Sequence, residues 1–244
     1  MSMSYGVVIP TYKRLNTLRT CLSHWLDGHR VPDQMIVVDA SPNAQDHKEM
    51  ITSEFPEFFT KGNGAYLTSN QPSIARQRNL GIAKLQTDIA SLPDDDAYPD
   101  PDYCTKIAEV FENDPDHIIA GVQGTSLVDP GTVPQIKNHI KNTEMQKDYE
   151  EWHRCHMDGF FDSSDFPGNQ KALPKSKVSR FLSPKLFLYG WGMNYRTKLF
   201  DEFSFDESFR GWCLDDIEIG LRISKSHLNV QRTDAITDHV RISR

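Results

Sequence analysis

The chain has 244 residues, a formal charge of −7 and four cysteines. A general nucleic-acid binder needs a basic footprint, so this balance excludes that class and leaves room only for a local basic pocket. The length suits one α/β domain or two small ones and is ample for a core burying roughly 70% or more of the unfolded surface.

Met1–Ser4 leads straight into the strand-like run Tyr5-Gly-Val-Val-Ile-Pro10, an order that predicts no signal peptide. No apolar run reaches the length a bilayer needs. Cys21, Cys104, Cys155 and Cys213 contain no Cys-x-x-Cys pair and read as reduced thiols. The expected setting is the cytoplasm, with peripheral contact at the inner face of a membrane left open.

After the first strand, Leu18, Cys21, Leu22, Trp25 and Leu26 recur at helical spacing, with Asn16 as the expected cap and Gly28 as the stop. Met35-Ile-Val-Val-Asp39 predicts a second buried strand, and a polar helix is expected from Ala44 to Phe55. A short strand follows near Ala65–Thr68. Ser73 opens a helix whose inner face is read from Ile74, Ile82 and Leu85. Ile89–Leu92 is a strand delivering the chain into Asp94-Asp95-Asp96. Pro101 starts a helix with Tyr103, Ile107, Val110 and Phe111 on one side, and Ile118–Val122 is strand-like. Strands alternating with helices predict a largely parallel sheet covered on both faces, with ligands beyond the strand carboxyl ends.

From Gly124 to about Pro184 the pattern dissolves into polar, Pro- and Gly-containing sequence, including a charged helical piece near Ile136–His156. This reads as an insertion within a single domain. Order returns with Phe187–Met193, a short helix near Thr197 and a helix from Asp215 to about Ser226.

Three adjacent carboxylates disfavour one another's ionisation unless a cation relieves them. Mg2+ and Mn2+ prefer such oxygens and keep places for phosphate. On an extended backbone Asp94 and Asp96 would face one site and Asp95 the other side. A solvated acidic turn is the bland alternative, and the strand-end position weighs against it. Asp215 with Glu218 fits a capping box, while Asp216 in a helix's first turn would stay ionised through the dipole and able to accept a proton. His239 would make a sensible third ligand to a cation. His153, Cys155 and His156 lack the spacing of a structural zinc site and read as a helix surface. Arg78 is a candidate phosphate grip, and Arg76 a solvated side chain. Trp191, Tyr195 and Trp212, among Gly190, Gly192 and Gly211, are candidate sugar-stacking groups.

Val-Val-Ile-Pro-Thr-Tyr-Lys-Arg14, Ile-Val-Val-Asp39, Ala-Arg-Gln-Arg-Asn-Leu-Gly81, Asp94-Asp-Asp96, Phe205-Asp-Glu-Ser-Phe209 and Asp215-Asp-Ile-Glu-Ile-Gly-Leu-Arg222 occur in that order. The series resembles the family 2 inverting glycosyltransferases of the GT-A fold, over residues 5 to about 122 and 186 to 240. The resemblance implies a nucleotide-binding half at about 5–123, an insertion at about 124–185 and an acceptor half at about 186–244. It implies a nucleotide-receiving loop of Pro10, Thr11, Tyr12 and Arg14, with Asp39 on the base or ribose. It further implies Arg78, Asp94 and Asp95 at the donor, with Asp96 and His239 on Mn2+ or Mg2+. Asp216 falls at the catalytic base, and Trp191, Gly192, Trp212 and Asp215 on the acceptor side. Asp39-Ala40-Ser41 departs from the family where a second acid is common, and Asp215 replaces the more usual glutamate. The implied reaction moves a sugar from a nucleotide-diphosphate donor, UDP by default, to a glycan or lipid-linked saccharide in polysaccharide assembly. A metal-dependent phosphohydrolase and a non-catalytic nucleotide-sugar-binding module are the alternatives. A nucleotidyltransferase would be expected to carry a Gly-rich phosphate loop after the first strand, where this chain has Pro-Thr-Tyr-Lys-Arg.

Overall fold

The computed structural model describes residues 2–126, 163–209 and 214–240. Their centre is a nine-stranded sheet. Its first half is parallel: β3 (Ala65–Thr68), β2 (Gln34–Asp39), β1 (Tyr5–Thr11) and β4 (Ile89–Leu92) lie side by side in that order. β8 (Met193–Arg196) then pairs antiparallel with both β4 and β6 (Ile119–Ser126). Beyond β6 runs β9 (Leu228–His239), parallel to it. The far side of β9 is shared by β7 (Leu182–Lys185) and β5 (Ala97–Pro99), both antiparallel. β1 to β4, β6 and β9 thus point one way, and only β5, β7 and β8 oppose them.

Alternate residues of β1 and β2 feed two separate cores, as the two-residue period of a strand requires. Tyr5, Val7, Ile9, Met35 and Val37 pack on one face. There they meet α1 (Leu15–Leu26), α2 (Ala44–Glu54) and α5 (Tyr103–Glu112). Val8, Ile36 and Val38 pack on the other face, against α4 (Ile74–Ile82) and α6 (Asp215–Ser224). A further short helix, α3, spans Pro56–Thr60. Two-sided burial explains why β1 and β2 read as continuous apolar runs rather than alternating ones.

Several local expectations are corrected. Asn16 lies inside α1, whose cap position is Arg14 with no side-chain capping bond. Ser73 does cap α4, accepting from the Arg76 amide, but the buried residues of that helix are Ala75, Gln77, Arg78 and Gly81 rather than an isoleucine stripe. A Cβ on Gly81 would lie 2.2 Å from Val8 Cγ1, so the glycine lets α4 sit directly on β1. β5, β7, β8 and most of β9 escaped the sequence pattern. The described ends of the expected insertion belong to the sheet: β6 runs on to Ser126, and β7 occupies 182–185. The helical piece near Ile136–His156, with His153, Cys155 and His156, lies outside the described residues, as do Gly211, Trp212 and Cys213. Cys21 and Cys104 are buried free thiols. Among the described residues no helix is long and apolar enough to cross a membrane.

Candidate functional site

The carboxyl ends of β1, β4 and β9 bring their following residues together. The Ala97 amide donates to the Asp94 carbonyl at 3.2 Å, so the triple aspartate is a tight turn rather than extended backbone. β5 follows at once and pairs Ala97 with His239, while the Val240 amide donates to the Asp96 carbonyl. Strand pairing therefore sets His239 beside the acidic turn: its Nε2 lies 3.3 Å from Asp96 Oδ1. One ligand atom each from Asp94, Asp96 and His239 falls within 4.8 Å of the others. Two hard oxygens and an imidazole nitrogen at this spacing fit a divalent cation of the Mn2+ type.

Burial would raise the Asp96 carboxyl, but His239 and then Arg14 outweigh it and hold it below the usual range. Asp94 is shifted up, by burial first, with Arg78 opposing and the Asp96 charge adding. Asp95 turns away from the cation cluster. It accepts from Thr11 Oγ1 at 2.7 Å and from Arg14 Nη1 at 2.8 Å, and burial pushes it up to about 6. Arg14 Nη1 also reaches Asp96 Oδ2 at 2.7 Å. The loop after β1 is thus tied to the acidic turn by Thr11 and Arg14. Pro10 is buried within β1, whereas the Tyr12 side chain is exposed at 37%.

Asp39, expected at the nucleotide, is engaged with protein groups in this structure. It is fully buried and accepts from the Ser41 amide (2.7 Å), His47 Nδ1 (2.5 Å) and Tyr66 Oη (2.6 Å). Burial would lift its pKa, yet these bonds keep it below the ordinary carboxylate value. Its oxygens serve to fasten α2 and β3 to the end of β2. No spacing rule pointed to His47 or Tyr66.

Arg78 is 1% exposed and joins the two acidic stretches. Its Nη2 donates to Asp94 Oδ1 (3.0 Å) and to the Gly190 carbonyl (2.9 Å), and its Nη1 to Asp215 Oδ2 (2.6 Å). A guanidinium so committed is not a solvent-facing phosphate grip. Asp215 is buried in the same pair, so the expected capping box does not form. Glu218 bonds Arg222 instead, and the cap position Leu214 adopts a left-handed φ of 76°. Arg76 pairs with Glu207 at 3.1 Å.

Asp216, next on α6, accepts from the Gly190 amide at 2.8 Å. Burial and then the Asp215 charge push it up to about 6, against Arg78 and backbone bonds. Desolvation therefore outweighs the dipole effect expected from the sequence, and the carboxylate is poised closer to neutrality. Trp191 stacks on His239, centroids 6.0 Å apart at 23°, and Tyr189 stacks on Trp191 at 6.5 Å and 10°. The Gly192 carbonyl accepts from Asn194 Nδ2 at 2.9 Å and from Tyr103 Oη at 3.4 Å, which makes it a backbone brace. Trp212 lies outside the described residues.

A sheet of this topology, with an acidic turn at its carboxyl edge, is a GT-A glycosyltransferase fold. The profile of Glycosyl transferase family 2 matches residues 6–171, and the chain belongs to that family. Solved structures agree in fold. The mannosyltransferase PcManGT from Pyrobaculum calidifontis, in complex with GDP-Man and Mn2+, has a TM-score of 0.65 at 13% identity, covering 100% of this chain and 59% of that one. S. aureus TarS 1-349 in complex with UDP-GlcNAc gives 0.61 at 15%, covering 99% and 60%. GalNAc-T7 with UDP, GalNAc and Mn2+ gives 0.64 at 11%, covering 100% and 44%. The chain thus spans about three fifths or less of each neighbour's length. No curated protein matches it in sequence.

Proposed function

We propose that the chain transfers a sugar, with inversion, from a nucleotide-diphosphate donor to a hydroxyl of a glycan or lipid-linked saccharide. The observation that carries this reading is the meeting of the Asp94–Asp96–His239 cluster with Asp216 through Arg78 and Gly190. GDP-Man, UDP and UDP-GlcNAc in the structural neighbours support a nucleotide-diphosphate donor, and UDP is the default.

In this reading Asp216 takes the proton of the acceptor hydroxyl. The acceptor oxygen forms a bond to the anomeric carbon as the bond from that carbon to the diphosphate oxygen breaks, and the nucleoside diphosphate leaves with the electron pair. A carboxylate with a pKa of about 6 is mostly ionised at neutral pH and a better base than an ordinary aspartate. Asp94, Asp96 and His239 would hold Mn2+ or Mg2+, which supplies charge neutralisation for the departing diphosphate. Tyr12 and the loop after β1 receive the nucleotide, with Thr11, Arg14 and Asp95 bracing that loop. Tyr189, half-buried and backed by the buried Trp191, offers the acceptor sugar an aromatic face.

Asp216→Asn should lower turnover by roughly a hundred- to ten-thousand-fold, with donor affinity retained. Turnover within a few-fold of the parent would remove Asp216 from this role. Phosphate released from simple esters without an acceptor would favour a hydrolase instead. Cation-dependent donor binding with neither transfer nor donor hydrolysis would favour a binding module.

A further inference from the structure

Gly190 occupies an unusual position between two charged groups. Its carbonyl accepts from Arg78 Nη2 and its amide donates to Asp216 Oδ2. A Cβ there would crowd Arg78 Nη2 at 3.1 Å and meet Asp216 Oδ2 at an ordinary 3.4 Å, so the bare backbone eases the approach of the guanidinium. The same guanidinium holds Asp94 on the cation side and Asp215 on α6. Arg78 comes from a different element, α4, and reaches both stretches.

We propose that Arg78 is a positioning residue that fixes the cation-side carboxylate Asp94 and the base-bearing helix α6 in one register, through Asp215 and the Gly190 backbone. The role goes beyond the donor contact expected of this arginine and rests on Asp216 being the base. It needs a planar fork with several fixed donors, which lysine, a point charge, cannot reproduce. The fork also sets the electrostatics at Asp216. The groups facing that carboxylate are Asp215 on its own helix, Arg78 from α4, the Tyr195 phenol from β8, and the Gly190 and Ile217 amides. Asp215 raises the affinity of Asp216 for a proton and Arg78 lowers it, so removing either partner of a single ion pair acts in opposite directions.

The test is a carbon-13 carboxyl titration of Asp216 by NMR, run beside pH profiles of kcat, for Arg78→Gln, Arg78→Lys and Asp215→Asn. Arg78→Gln should move the Asp216 midpoint up and Asp215→Asn should move it down, with the acid limb of kcat following each. Arg78→Lys should keep much of the charge effect yet lose on the order of a hundredfold in kcat, the typical cost of a misplaced reacting group. Asp215→Asn is near-isosteric and keeps the test available if Arg78→Gln fails to fold. A midpoint that shifts the same way in both variants, or in neither, overturns the proposal, as does wild-type kcat in Arg78→Lys. If the NMR midpoints move apart as stated while the acid limb of kcat stays fixed, Arg78 keeps its role and Asp216 loses that of base.

Discussion

Burying the Asp216 carboxyl comes at the expense of the fold. Its folded pKa of about 6 lies above the ordinary aspartate value, so between those limits the native state binds more protons than the unfolded chain. The destabilisation is absent below the unfolded pKa and fully present above the folded one. The melting temperature of Asp216→Asn, measured against wild type, should therefore become more favourable as pH rises from about 4 to 7.5; a difference that is flat or falls over that range contradicts the shift. At this scale the sequence was informative where it named acidic residues and a histidine that the fold then draws together. Asp94, Asp96 and His239 do gather, and Arg78 and Gly190 link Asp94 to Asp216. It was uninformative where the same residue types serve internal pairing. Asp39, Asp215, Arg14 and Arg78 are residue types that suit a ligand, and each also spends hydrogen bonds on protein neighbours. Choosing between these uses requires their partners to be known, and those lie anywhere from 8 positions away, as for Asp39 and His47, to 137, as for Asp215 and Arg78.

Among the elements, the close seat of α4 on β1 makes a direct prediction. Gly81→Ala would push a methyl to within 2.2 Å of Val8 Cγ1, and overpacking of this kind costs about 1–3 kcal/mol. Denaturant titration should show that loss, and Val8→Ala in the same chain should recover part of it; additive losses would mean the two groups do not compete for space. The legible elements were those with a plain apolar stripe or run: α1, α5, β1 and β2. β9 was hidden because its buried positions include Asn229, Arg232 and Thr237, which leave no hydrophobic period. Arg232 is tolerated there by bonds to the Lys106 carbonyl, Glu109 and Asp234. The inner face of α4 was hidden for the same reason, since Gln77 and Arg78 fill it. Gln77 Nε2 spans the Thr11 and Val38 carbonyls, joining the ends of β1 and β2.

For the molecule as a whole, the mixed sheet is what brings together residues as distant in the chain as Asp96 and His239. Mn2+ with a UDP compound should raise the melting temperature, since a ligand at a hundred times its Kd stabilises by about 2.7 kcal/mol and each kcal/mol corresponds to roughly 2–4 °C at this size. Asp96→Ala and His239→Ala should each erase most of the cation-dependent part, and an undiminished shift in both would move the cation elsewhere. The parallel half of the sheet could be read from alternating strands and helices; the antiparallel strands that close it could not, because they are short or polar. The position of His239 at the end of β9, paired with Ala97, has a consequence for biogenesis. While the polypeptide is still emerging from the ribosome, Asp94, Asp95 and Asp96 have been made long before their histidine partner. A nascent protein short of residue 239 lacks the side chain that pairs with Asp96, so the acidic turn gains its histidine only once β9 has been translated and seated between β6 and β5.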